Sequence, residues 1–544
     1  MTYDVLVVGG GIAGLSAAAF CAQAGKSVLL CEKSETTGGL INSFTRNGFT
    51  FDTGIRAIED SGIVLPMLKS LGLEVDFIKS YVSLGVGDRV ISIQTPEDLL
   101  VYGQMLEDLY PGSKADVEPI LEDIRMVMKY MDVLYGIENP IFKDLPRDTD
   151  FLFKTLFPWL GRFLFTIGKI NRMNEPAEAH LRKFTQNRSL IDIISQHFFR
   201  RTPAFFAMSY FSLYLDYLYP RGGTGALPAA LAKYCEAHGV NIHTKTAVTE
   251  IHPEQHLAHA GTDAPISYRQ LIWTADQKAL YDVVNVDGIQ RDALRNRVLA
   301  RRTLLRDKKG GDSIFAMYLS LDLDPSYFRA ISNGHFFYTP SSKGMGSIFH
   351  EDLDTLLAGE KDFKAGTLAP SGYREKIQSW LQRYFARTTY EIAIPVLRDD
   401  ALAPAGKTGI MVSVLMEYEV FRIIRDMGWY EASKTLCENC MIQALTETIY
   451  PRLQDSILDR FSYSPLSIER VTGSSQGAIT GWAFTNDGIP AISSIVSVTR
   501  SVHTVLPDVS QAGQWAYSPS GLPISILTGK LAADRAVKRT GGKA

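Results

Sequence analysis

The chain has 544 residues, of which 46% are hydrophobic and 21% are charged. That composition is typical of a large globular protein with more than one domain. The formal net charge of −3 gives no electrostatic basis for nucleic-acid binding. We expect no disulfide framework from five scattered cysteines, and no transmembrane helix because no run of about 18 apolar residues is present. These features predict a cytoplasmic protein.

The N-terminal residues follow the pattern of a βαβ unit that binds a dinucleotide. An apolar run at residues 4–8 enters a G-x-G-x-x-G turn, and a second strand at residues 27–31 ends at the acidic residue Glu32. The glycines allow a tight bend, a close approach of the backbone to a pyrophosphate, and close packing of helix on strand, while the acid can bind ribose hydroxyls. The predicted cofactor contacts of this unit are Gly9, Gly11, Ile12, Ala13, Gly14, Glu32 and Lys33.

The residues after this unit favour FAD over a nicotinamide cofactor. A double glycine, Gly38-Gly39, is followed by GFTFDTG at residues 48–54. This arrangement resembles the FAD-binding module of the amine oxidase and phytoene desaturase superfamily. The resemblance implies that the double glycine passes under the pyrophosphate and that the D-x-G brings backbone to the flavin. The residues it assigns are Gly38, Gly39, Leu40, Thr53, Gly54, Ile55 and Arg56, with Leu40 standing where those families often carry arginine.

Two distant segments fit the same template. Residues 219–228 read YPRGGTGALP before a helical pattern at 229–238 and two short strand patterns within 240–251, and residues 512–523 read AGQWAYSPSGLP before a helical pattern at 524–536. Similar blocks occur in phytoene desaturases, carotenoid isomerases and retinol saturases. The resemblance implies a backbone contact of Val248 to adenine and a last helix whose N-terminal dipole stabilises negative charge on a reduced flavin. The residues it assigns at that helix are Gly513, Gln514, Gly521, Leu522 and Pro523.

The resemblance implies an α/β fold, with a discontinuous Rossmann-like FAD-binding domain of the glutathione-reductase type. An α+β substrate domain would be built on an antiparallel sheet. We predict the FAD-binding domain at residues 1–95, 215–290 and 465–544, and the substrate-binding domain at residues 96–214 and 291–464. The first insertion reads as mostly helical, with an amphipathic stretch at 116–135. The second has strand patterns at 313–323, 334–338, 390–396 and 409–418.

Residues 151–172 form an unusual segment of the first insertion. They read FLFKTLFPWLGRFLFTIGKINR, which combines large apolar residues with four basic residues and no acid. Such a composition is typical of a helix that lies in a membrane interface, and we expect Trp159 and Phe163 among its lipid-facing side chains. A buried helix pair and an oligomer interface are the alternative interpretations.

The candidate catalytic residues are Arg56, Glu59 and Tyr219. Arg56 and Glu59 follow the D-x-G block and could stabilise charge or move protons, although an ion pair at a helix start explains them equally well. Tyr219 ends an aromatic run at 205–219, in which core packing explains most rings and one or two tyrosines could face a substrate. No metal site is predicted, because the histidines show no ligand spacing and those at 252, 256 and 259 are interpreted as solvated in a loop.

The resemblance predicts an FAD-dependent oxidoreductase that acts on C–C or C=C bonds of a long apolar, carotenoid-like or isoprenoid substrate, as a desaturase, saturase or isomerase. An amine oxidase that attacks a C–N bond and a non-catalytic FAD-binding membrane-associated protein are the alternatives. No second dinucleotide motif is present, so we expect oxygen or a quinone rather than NAD(P)H as the electron partner. Further expected partners are the apolar substrate and a lipid surface at 151–172, which would make the protein peripheral on the membrane.

Overall fold

The computed structural model describes residues 2–143, 148–261 and 264–541. Residues 1, 144–147, 262–263 and 542–544, which fall in the predicted domain ranges, lie outside the described residues. The strands are β1 (Thr2–Val8), β2 (Val28–Cys31), β3 (Ser43–Arg46), β4 (Phe49–Asp52), β5 (Ile58–Glu59), β6 (Phe77–Lys79), β7 (Val82–Val86), β8 (Arg89–Ile93), β9 (Tyr217–Pro220), β10 (Asn241–His243), β11 (Val248–His252), β12 (Leu257–Ala260), β13 (Ile266–Trp273), β14 (Ser313–Leu321), β15 (His335–Thr339), β16 (Tyr390–Ala393), β17 (Thr408–Met416), β18 (Ile457–Tyr463) and β19 (Val509–Gln511).

The helices are α1 (Ile12–Gln23), α2 (Val64–Leu71), α3 (Asp98–Leu109), α4 (Lys114–Tyr135), α5 (Thr149–Phe151), α6 (Phe157–Ile170), α7 (Ala177–Leu181), α8 (Arg188–Ser195), α9 (Ala204–Met208), α10 (Tyr210–Asp216), α11 (Ala226–Ala237), α12 (Gln277–Asp282), α13 (Asp292–Arg306), α14 (Pro325–Arg329), α15 (Glu351–Lys364), α16 (Pro370–Phe385), α17 (Tyr418–Asp426), α18 (Tyr430–Thr448), α19 (Pro465–Thr472) and α20 (Leu522–Arg539). In the described ranges, no helix is both long enough and apolar enough to cross a membrane.

The first sheet has the strand order β10-β2-β1-β13-β12-β11, with β19 paired to β13. Its strands β10, β2, β1 and β13 run parallel to one another. Strand β1 is buried on both faces: Val5 and Val7 pack with helices α1, α11 and α20, and Leu6 and Val8 pack in a second core with α12 and α13. Near-continuous apolar strands are typical of a parallel sheet that is covered on both sides. The predicted βαβ unit, the helix at 229–238 and the helix at 524–536 are confirmed as β1-α1-β2, α11 and α20.

The second sheet has the strand order β18-β14-β17-β16-β15-β7-β8. The four strands predicted in the second insertion are confirmed as β14 to β17. The sheet is antiparallel except where β7 pairs in parallel with β15. The hairpin β7–β8 lies within residues 1–95, which the sequence predicts to belong to the FAD-binding domain, but β7 pairs with β15 of this second sheet. Pairing between strands so distant in sequence has no local sequence signal. The division into two domains stays a prediction.

Residues of the second sheet alternate between a core and an open face. Phe315, Met317 and Leu319 on β14 are buried under helices that include α16 to α18. Their neighbours Ile314, Ala316 and Tyr318 line a cavity on the opposite face. This period of two is the ordinary consequence of strand geometry, and it decides which side chains of β15, β16 and β17 reach the cavity.

A small sheet of β5, β9 and β6 connects the two parts of the structure. In it, Glu59 of β5 pairs with Tyr217 of β9. Because β5 follows the D-x-G block directly, this pairing holds the candidate catalytic segment against the aromatic run at 205–219.

Candidate functional site

One large cavity, of about 800 Å³, lies between the glycine-rich turns of the first sheet and the open face of the second. Most of the predicted cofactor residues line it. They are Gly9, Gly11, Ile12, Ala13, Glu32, Gly38, Gly39, Leu40, Thr53, Gly54, Ile55, Arg56, Gly513, Gln514, Gly521 and Leu522. The candidate catalytic residue Glu59 lines it as well. Segments from both ends of the chain therefore meet at a single cavity.

The glycine-rich turn leaves room for a phosphate group. A Cβ atom added at Gly11 would meet nothing within 4 Å, and the first turn of α1 after it has no side-chain cap. Gly38 bridges to Gly11, and Gly39 packs so closely that its Cβ would lie 3.2 Å from the Cα of Gly11. Unpaired N–H groups at a helix N-terminus attract anions. The cradle therefore fits a pyrophosphate.

Gly14 has a packing role. A Cβ atom there would lie 1.9 Å from the carbonyl oxygen of Gly9, so only glycine permits this helix–strand distance. The residue does not line the cavity. Glycine thus serves two separate purposes in one motif, access at Gly11 and close packing at Gly14.

Glu32 is held at the end of β2 by two backbone donors. The N–H of Gly10 donates to its Oε2 at 2.6 Å, and the N–H of Ser34 donates to its Oε1 at 2.8 Å. Each carboxylate oxygen keeps acceptor capacity beyond these bonds. The fixed carboxylate can therefore accept hydrogen bonds from ribose hydroxyls.

The closing helix α20 points its first turn at the cavity. Leu522 and Ser525 line the cavity, and no side chain caps this helix N-terminus. Helix α20 packs very closely on α1, since a Cβ atom at Gly529 would lie 2.6 Å from the carbonyl oxygen of Ala13. The positive end of the helix dipole is therefore available to a negatively charged ring system.

The predicted catalytic residue Glu59 is half-buried beside the start of α20. Its Oε1 lies 3.3 Å from the position of a Cβ atom added at Gly521. Burial, together with the nearby charge of Asp216, raises the pKa of Glu59 to about 7. Among the described residues no salt bridge involves Glu59. A carboxyl group with a pKa near neutrality can exchange protons, and the catalytic role of Glu59 stays a prediction.

The predicted residue Arg56, which is buried, starts a hydrogen-bonded chain that crosses to the second sheet. Its Nη2 donates to Oγ of Ser413 at 3.4 Å, and that hydroxyl donates to Oε2 of Glu391 at 3.3 Å. Oε1 of Glu391 lies 3.0 Å from Nε2 of His335. All four residues line the cavity.

Sequence reasoning missed His335, Glu391 and Ser413. They lie on β15, β16 and β17, where the register pairs Glu391 with Ser413 and brings His335 beside them. One signal was available: charged residues are rare in apolar strands unless they are paired or functional. Glu391 stands between Tyr390 and Ile392, and His335 directly precedes the aromatic residues at 336–338.

The structure does not bring every predicted site residue to the cavity. Tyr219 is fully buried, its hydroxyl donates to Oδ2 of Asp52 at 2.9 Å, and the guanidinium of Arg398 covers its ring. Phe206, Tyr210 and Tyr217 are the aromatic residues of that run that do line the cavity. The predicted residues outside the lining are Gly14, Lys33, Tyr219, Val248 and Pro523. The cofactor and catalytic roles of these five stay predictions.

A second, smaller cavity of about 60 Å³ adjoins the first and is mostly apolar. It runs between α3, α4, α8, α9, α10 and β7. Its apolar lining includes Tyr102, Met105, Ile124, Ile193, Ala207, Met208 and Phe211. The residues that line both cavities are His197, Phe198, Tyr210, Phe337 and Thr389. The two cavities therefore lie side by side and share these side chains as a common wall.

The three histidines interpreted as solvated in a loop are placed differently. His252 and His259 lie on the paired strands β11 and β12, and all three are partly buried. Side-chain ligand atoms of Glu250, His252 and His259 lie within 4.8 Å of one another, a grouping that could hold a metal ion. This group does not line the large cavity, so it takes no part in the site described above.

Comparison with known proteins agrees with this geometry. The family model of the flavin containing amine oxidoreductases matches residues 12–296. The all-trans-retinol 13,14-reductase of Danio rerio is 22% identical over 94% of this chain and 82% of its own length. The 4,4'-diapophytoene desaturase of Staphylococcus aureus is 22% identical over 98% of each chain.

Solved structures share the fold. An oxidoreductase from Methanosarcina mazei superposes with a TM-score of 0.60 at 15% identity, covering 96% of this chain and 98% of that one. A putrescine oxidase bound to putrescine superposes with a TM-score of 0.55 at 12% identity, covering 99% of each chain.

The family match spans more than half of the chain and includes α1, the double glycine and the D-x-G block. The cradle at Gly11, the fixed carboxylate of Glu32 and the uncapped start of α20 fit FAD at this cavity. The chain is an FAD-dependent oxidoreductase with an α/β fold, and it belongs to the flavin-containing amine oxidoreductase family.

Proposed function

We propose that this enzyme acts on C–C or C=C bonds of a long apolar substrate of the isoprenoid or carotenoid type. The observation that carries the proposal is the size of the flavin cavity, about 800 Å³, and the mostly apolar walls that it shares with the smaller cavity beside it. An extended hydrocarbon chain could place one bond at the flavin and extend along the large cavity toward these walls. Apolar pockets with few polar groups are typical of sites for such ligands.

The similar curated proteins support the same substrate class. One is named as a reductase of all-trans-retinol and the other as a desaturase of 4,4'-diapophytoene. When bound, FAD supplies the acceptor or donor of a hydride, and we propose oxygen or a quinone as its external electron partner. The cofactor and catalytic roles predicted for the cavity residues are part of this proposal.

The charge pattern of the cavity argues against an amine substrate. A cationic amine would need an uncompensated carboxylate, yet Glu391 is already bonded to His335 and is close to Arg56. The carboxyl group of Glu59 has a pKa of about 7 and is therefore partly neutral at physiological pH. The C–N bond remains the alternative that an experiment must separate.

We further propose that the helix α6 and the turn before it dock on a lipid surface. Five large apolar side chains of this segment are exposed: Phe153, Phe157, Leu160, Leu164 and Phe165. Basic side chains accompany them, and a contiguous exposed apolar patch with cationic neighbours is typical of an interfacial helix. Helix α6 packs on α4, whose residue Ile124 lines the second cavity. A lipid-facing entrance would spare an apolar substrate an aqueous crossing.

Trp159 and Phe163, which the sequence predicts to face lipid, are not among these five exposed side chains. They are only partly exposed and stack on each other at a centroid distance of 4.6 Å. Trp159 also donates its indole N–H to the carbonyl oxygen of Val133 on α4. These two side chains hold α6 against α4. The face of α6 that packs on α4 is not available to lipid, and only the opposite face is.

Anaerobic mixing of the FAD-loaded protein with candidate substrates tests the proposed reaction. We expect 4,4'-diapophytoene in vesicles to bleach the oxidised flavin band, or all-trans-retinol to reoxidise the reduced flavin, while putrescine does neither. Ala207→Phe fills the second cavity, should push the shared wall toward the flavin cavity and should raise KM for the long substrate. Reduction by putrescine alone would support the amine alternative, and no reaction with any of the three would favour a non-catalytic protein.

A further inference from the structure

The hairpin β11–β12 carries three residues with metal-binding side chains on one face. Glu250 and His252 are two residues apart on β11, so their side chains project to the same side of the strand. Glu250 pairs directly with His259 of β12, and directly opposed residues of an antiparallel pair share a face. The pairing register therefore brings together two imidazoles and one carboxylate, which spacing along the chain does not mark as a site.

The opposite face of the same hairpin packs into the core. Ile251 and Ala258 pair with each other and are fully buried among apolar side chains. Glu250, His252 and His259 are partly exposed. The accessible fraction is 18% for the side chain of His252 and 41% for that of Glu250. An ion can therefore reach these side chains from solvent.

The spacing of the candidate ligand atoms is close to that of a zinc site. The ligand atoms of the three residues all lie within 4.8 Å of one another, and Nε2 of His252 lies 3.5 Å from Oε2 of Glu250. That distance is longer than an ordinary N–H···O hydrogen bond. Nitrogen and oxygen ligands at about 2.0 to 2.1 Å from a tetrahedral zinc ion lie about 3.3 to 3.4 Å apart. Rotation of the partly exposed side chains would close the group around such an ion.

A residue outside the group holds the carboxylate in place. Nδ2 of Asn285 donates to Oε1 of Glu250 at 2.5 Å, and Oδ1 of Asn285 accepts from the N–H of Gly288 at 2.7 Å. The backbone N–H of Asn285 also donates to the carbonyl oxygen of Ile251 at 2.9 Å. Asn285 is thus fixed by its backbone and its side chain, and it leaves Oε2 of Glu250 on the side of His252. Hydrogen-bonded partners of this kind orient the ligands of metal sites.

We propose that Glu250, His252 and His259 bind one divalent cation of the zinc type, with water completing its coordination. Two imidazoles and a carboxylate are a ligand set that zinc uses in other proteins. Imidazole ligands favour zinc and the neighbouring late transition metals, whereas Ca²⁺ and Mg²⁺ prefer sets of oxygen atoms. None of the three residues lines the flavin cavity, so the site is separate from the flavin chemistry.

A bound ion joins the two outermost strands of the first sheet. β11 ends the strand order and β12 lies next to it. Two ligands come from β11 and the third comes from β12. The register of this pair shifts between Val248 and Glu250, and such a bulge interrupts the hydrogen-bonding ladder. The ion therefore stabilises the hairpin directly beside this interruption.

Metal titration of the tag-free, FAD-loaded protein tests the site. After treatment with EDTA and removal of the chelator, we expect the parent to bind one equivalent of Zn²⁺ or Co²⁺ and to bind Ca²⁺ and Mg²⁺ far more weakly. His252→Gln and His259→Gln should each weaken Zn²⁺ binding about tenfold or more, and should remove the visible absorption of bound Co²⁺. Asn285→Ala should weaken Zn²⁺ binding about tenfold, because the carboxylate loses its orienting donor.

The matched control is His256→Gln. His256 lies in the turn of the same hairpin, but its Nε2 lies 3.4 Å from Asp508 and it does not belong to the group. This variant should bind Zn²⁺ as the parent does. A parent that binds no Zn²⁺, or Zn²⁺ binding that is equal in the parent and in both ligand variants, would overturn the proposal. Equally tight binding of Mg²⁺ would overturn the assignment to a zinc-type ion.

Amide hydrogen exchange separates loss of the site from loss of the fold. Without metal, His252→Gln and His259→Gln should keep the FAD content of the parent and its exchange pattern outside the hairpin. Saturating Zn²⁺ should slow exchange in residues 248–260 of the parent and of His256→Gln, and should leave the two ligand variants unchanged. Equal slowing in the ligand variants, or no change in the parent, would overturn the stabilising role of the ion.

Discussion

The carboxyl group of Glu59 lies against the N-terminus of α20, with Oε1 3.3 Å from the position of a Cβ atom at Gly521. A helix N-terminus favours negative charge nearby. A reduced flavin and an ionised Glu59 would both place negative charge at this N-terminus and would repel each other. Because burial and Asp216 raise the pKa of Glu59 to about 7, the residue is neutral below that pH and anionic above it. The redox properties of bound FAD should therefore depend on Glu59.

We predict that Glu59→Gln raises the midpoint potential of bound FAD at alkaline pH. Above pH 7 the ionised carboxylate disfavours negative charge on the reduced flavin, and the uncharged amide does not. The difference between variant and parent should be about 30 mV or more at pH 8.5, equivalent to about 1.4 kcal/mol for a two-electron couple, and should shrink toward pH 6. Anaerobic redox titration measures this difference in midpoint potential. The control is Glu122→Gln, which changes an exposed glutamate of α4. A difference that stays constant with pH would contradict the assignment.

We predict different outcomes for two glycine substitutions in one motif. Gly11→Val should leave the fold intact, because its backbone is extended and a Cβ atom meets nothing within 4 Å, but the side chain should block the phosphate approach and abolish FAD binding. Gly14→Val should destabilise the protein as well, because its Cβ would lie 1.9 Å from the carbonyl oxygen of Gly9. Flavin content and thermal unfolding of both apoproteins separate the effects. Equal loss of stability in both variants would contradict this division of roles.

We predict that Asp312→Asn stabilises the protein at pH 8. Burial raises the pKa of Asp312 from its ordinary value to about 7, while its Oδ2 accepts a bond from the N–H of Arg200. A raised folded-state pKa means that the folded protein binds more protons than the unfolded chain between about pH 4 and 7, so this contribution to stability is lost as pH rises through 7. At pH 8 the variant's free energy of unfolding should exceed that of the parent by about 1.4 kcal/mol for each pH unit that separates the folded-state pKa of Asp312 from its unfolded-state pKa.

Thermal unfolding at pH 5 and pH 8 checks this prediction. The side-chain amide of the Asp312→Asn variant keeps an acceptor for the N–H of Arg200 but carries no charge, so parent and variant should differ more at pH 8 than at pH 5. Asp292→Asn changes an exposed aspartate at the start of α13 and serves as control. A larger gain at pH 5 would reverse the sign and refute the assigned pKa.

The cofactor-binding elements could be predicted from the sequence because their chemistry is local. Gly11, Gly14 and Glu32 act within one βαβ unit, and each is tied to a steric or hydrogen-bonding need that a motif expresses directly. The closing turn before α20 is recognisable for the same reason. These segments come together at one cavity, although they lie at opposite ends of the chain.

The polar residues on the second-sheet side of the cavity could not be predicted in the same way. His335, Glu391 and Ser413 become neighbours only through the register of β15, β16 and β17, and register depends on pairing between segments far apart in sequence. The hairpin β7–β8 joined the second sheet by the same kind of contact. Tyr219 ends an aromatic run before the second glycine block, and that pattern does not show that its hydroxyl is bonded to Asp52.

We predict that lipid binding depends on the exposed face of α6. Phe157, Leu164 and Phe165 are 53%, 58% and 70% exposed, and each large apolar side chain removed from water contributes about 1.5 to 3 kcal/mol. Their joint replacement by serine should weaken binding to anionic vesicles at least tenfold in co-sedimentation while FAD content stays unchanged. Higher salt should weaken binding by the parent, because part of the attraction comes from basic side chains.

The matched control replaces Leu299 and Leu304 by serine, since these residues of α13 are 41% and 46% exposed but lie outside this segment. It should bind vesicles as the parent does. If the parent forms a dimer without lipid and the triple α6 variant becomes monomeric, the face is an interface between two copies. If the parent ignores vesicles and is a monomer, the exposed face has neither role, and substrate entry through α4 and α6 loses its physical basis.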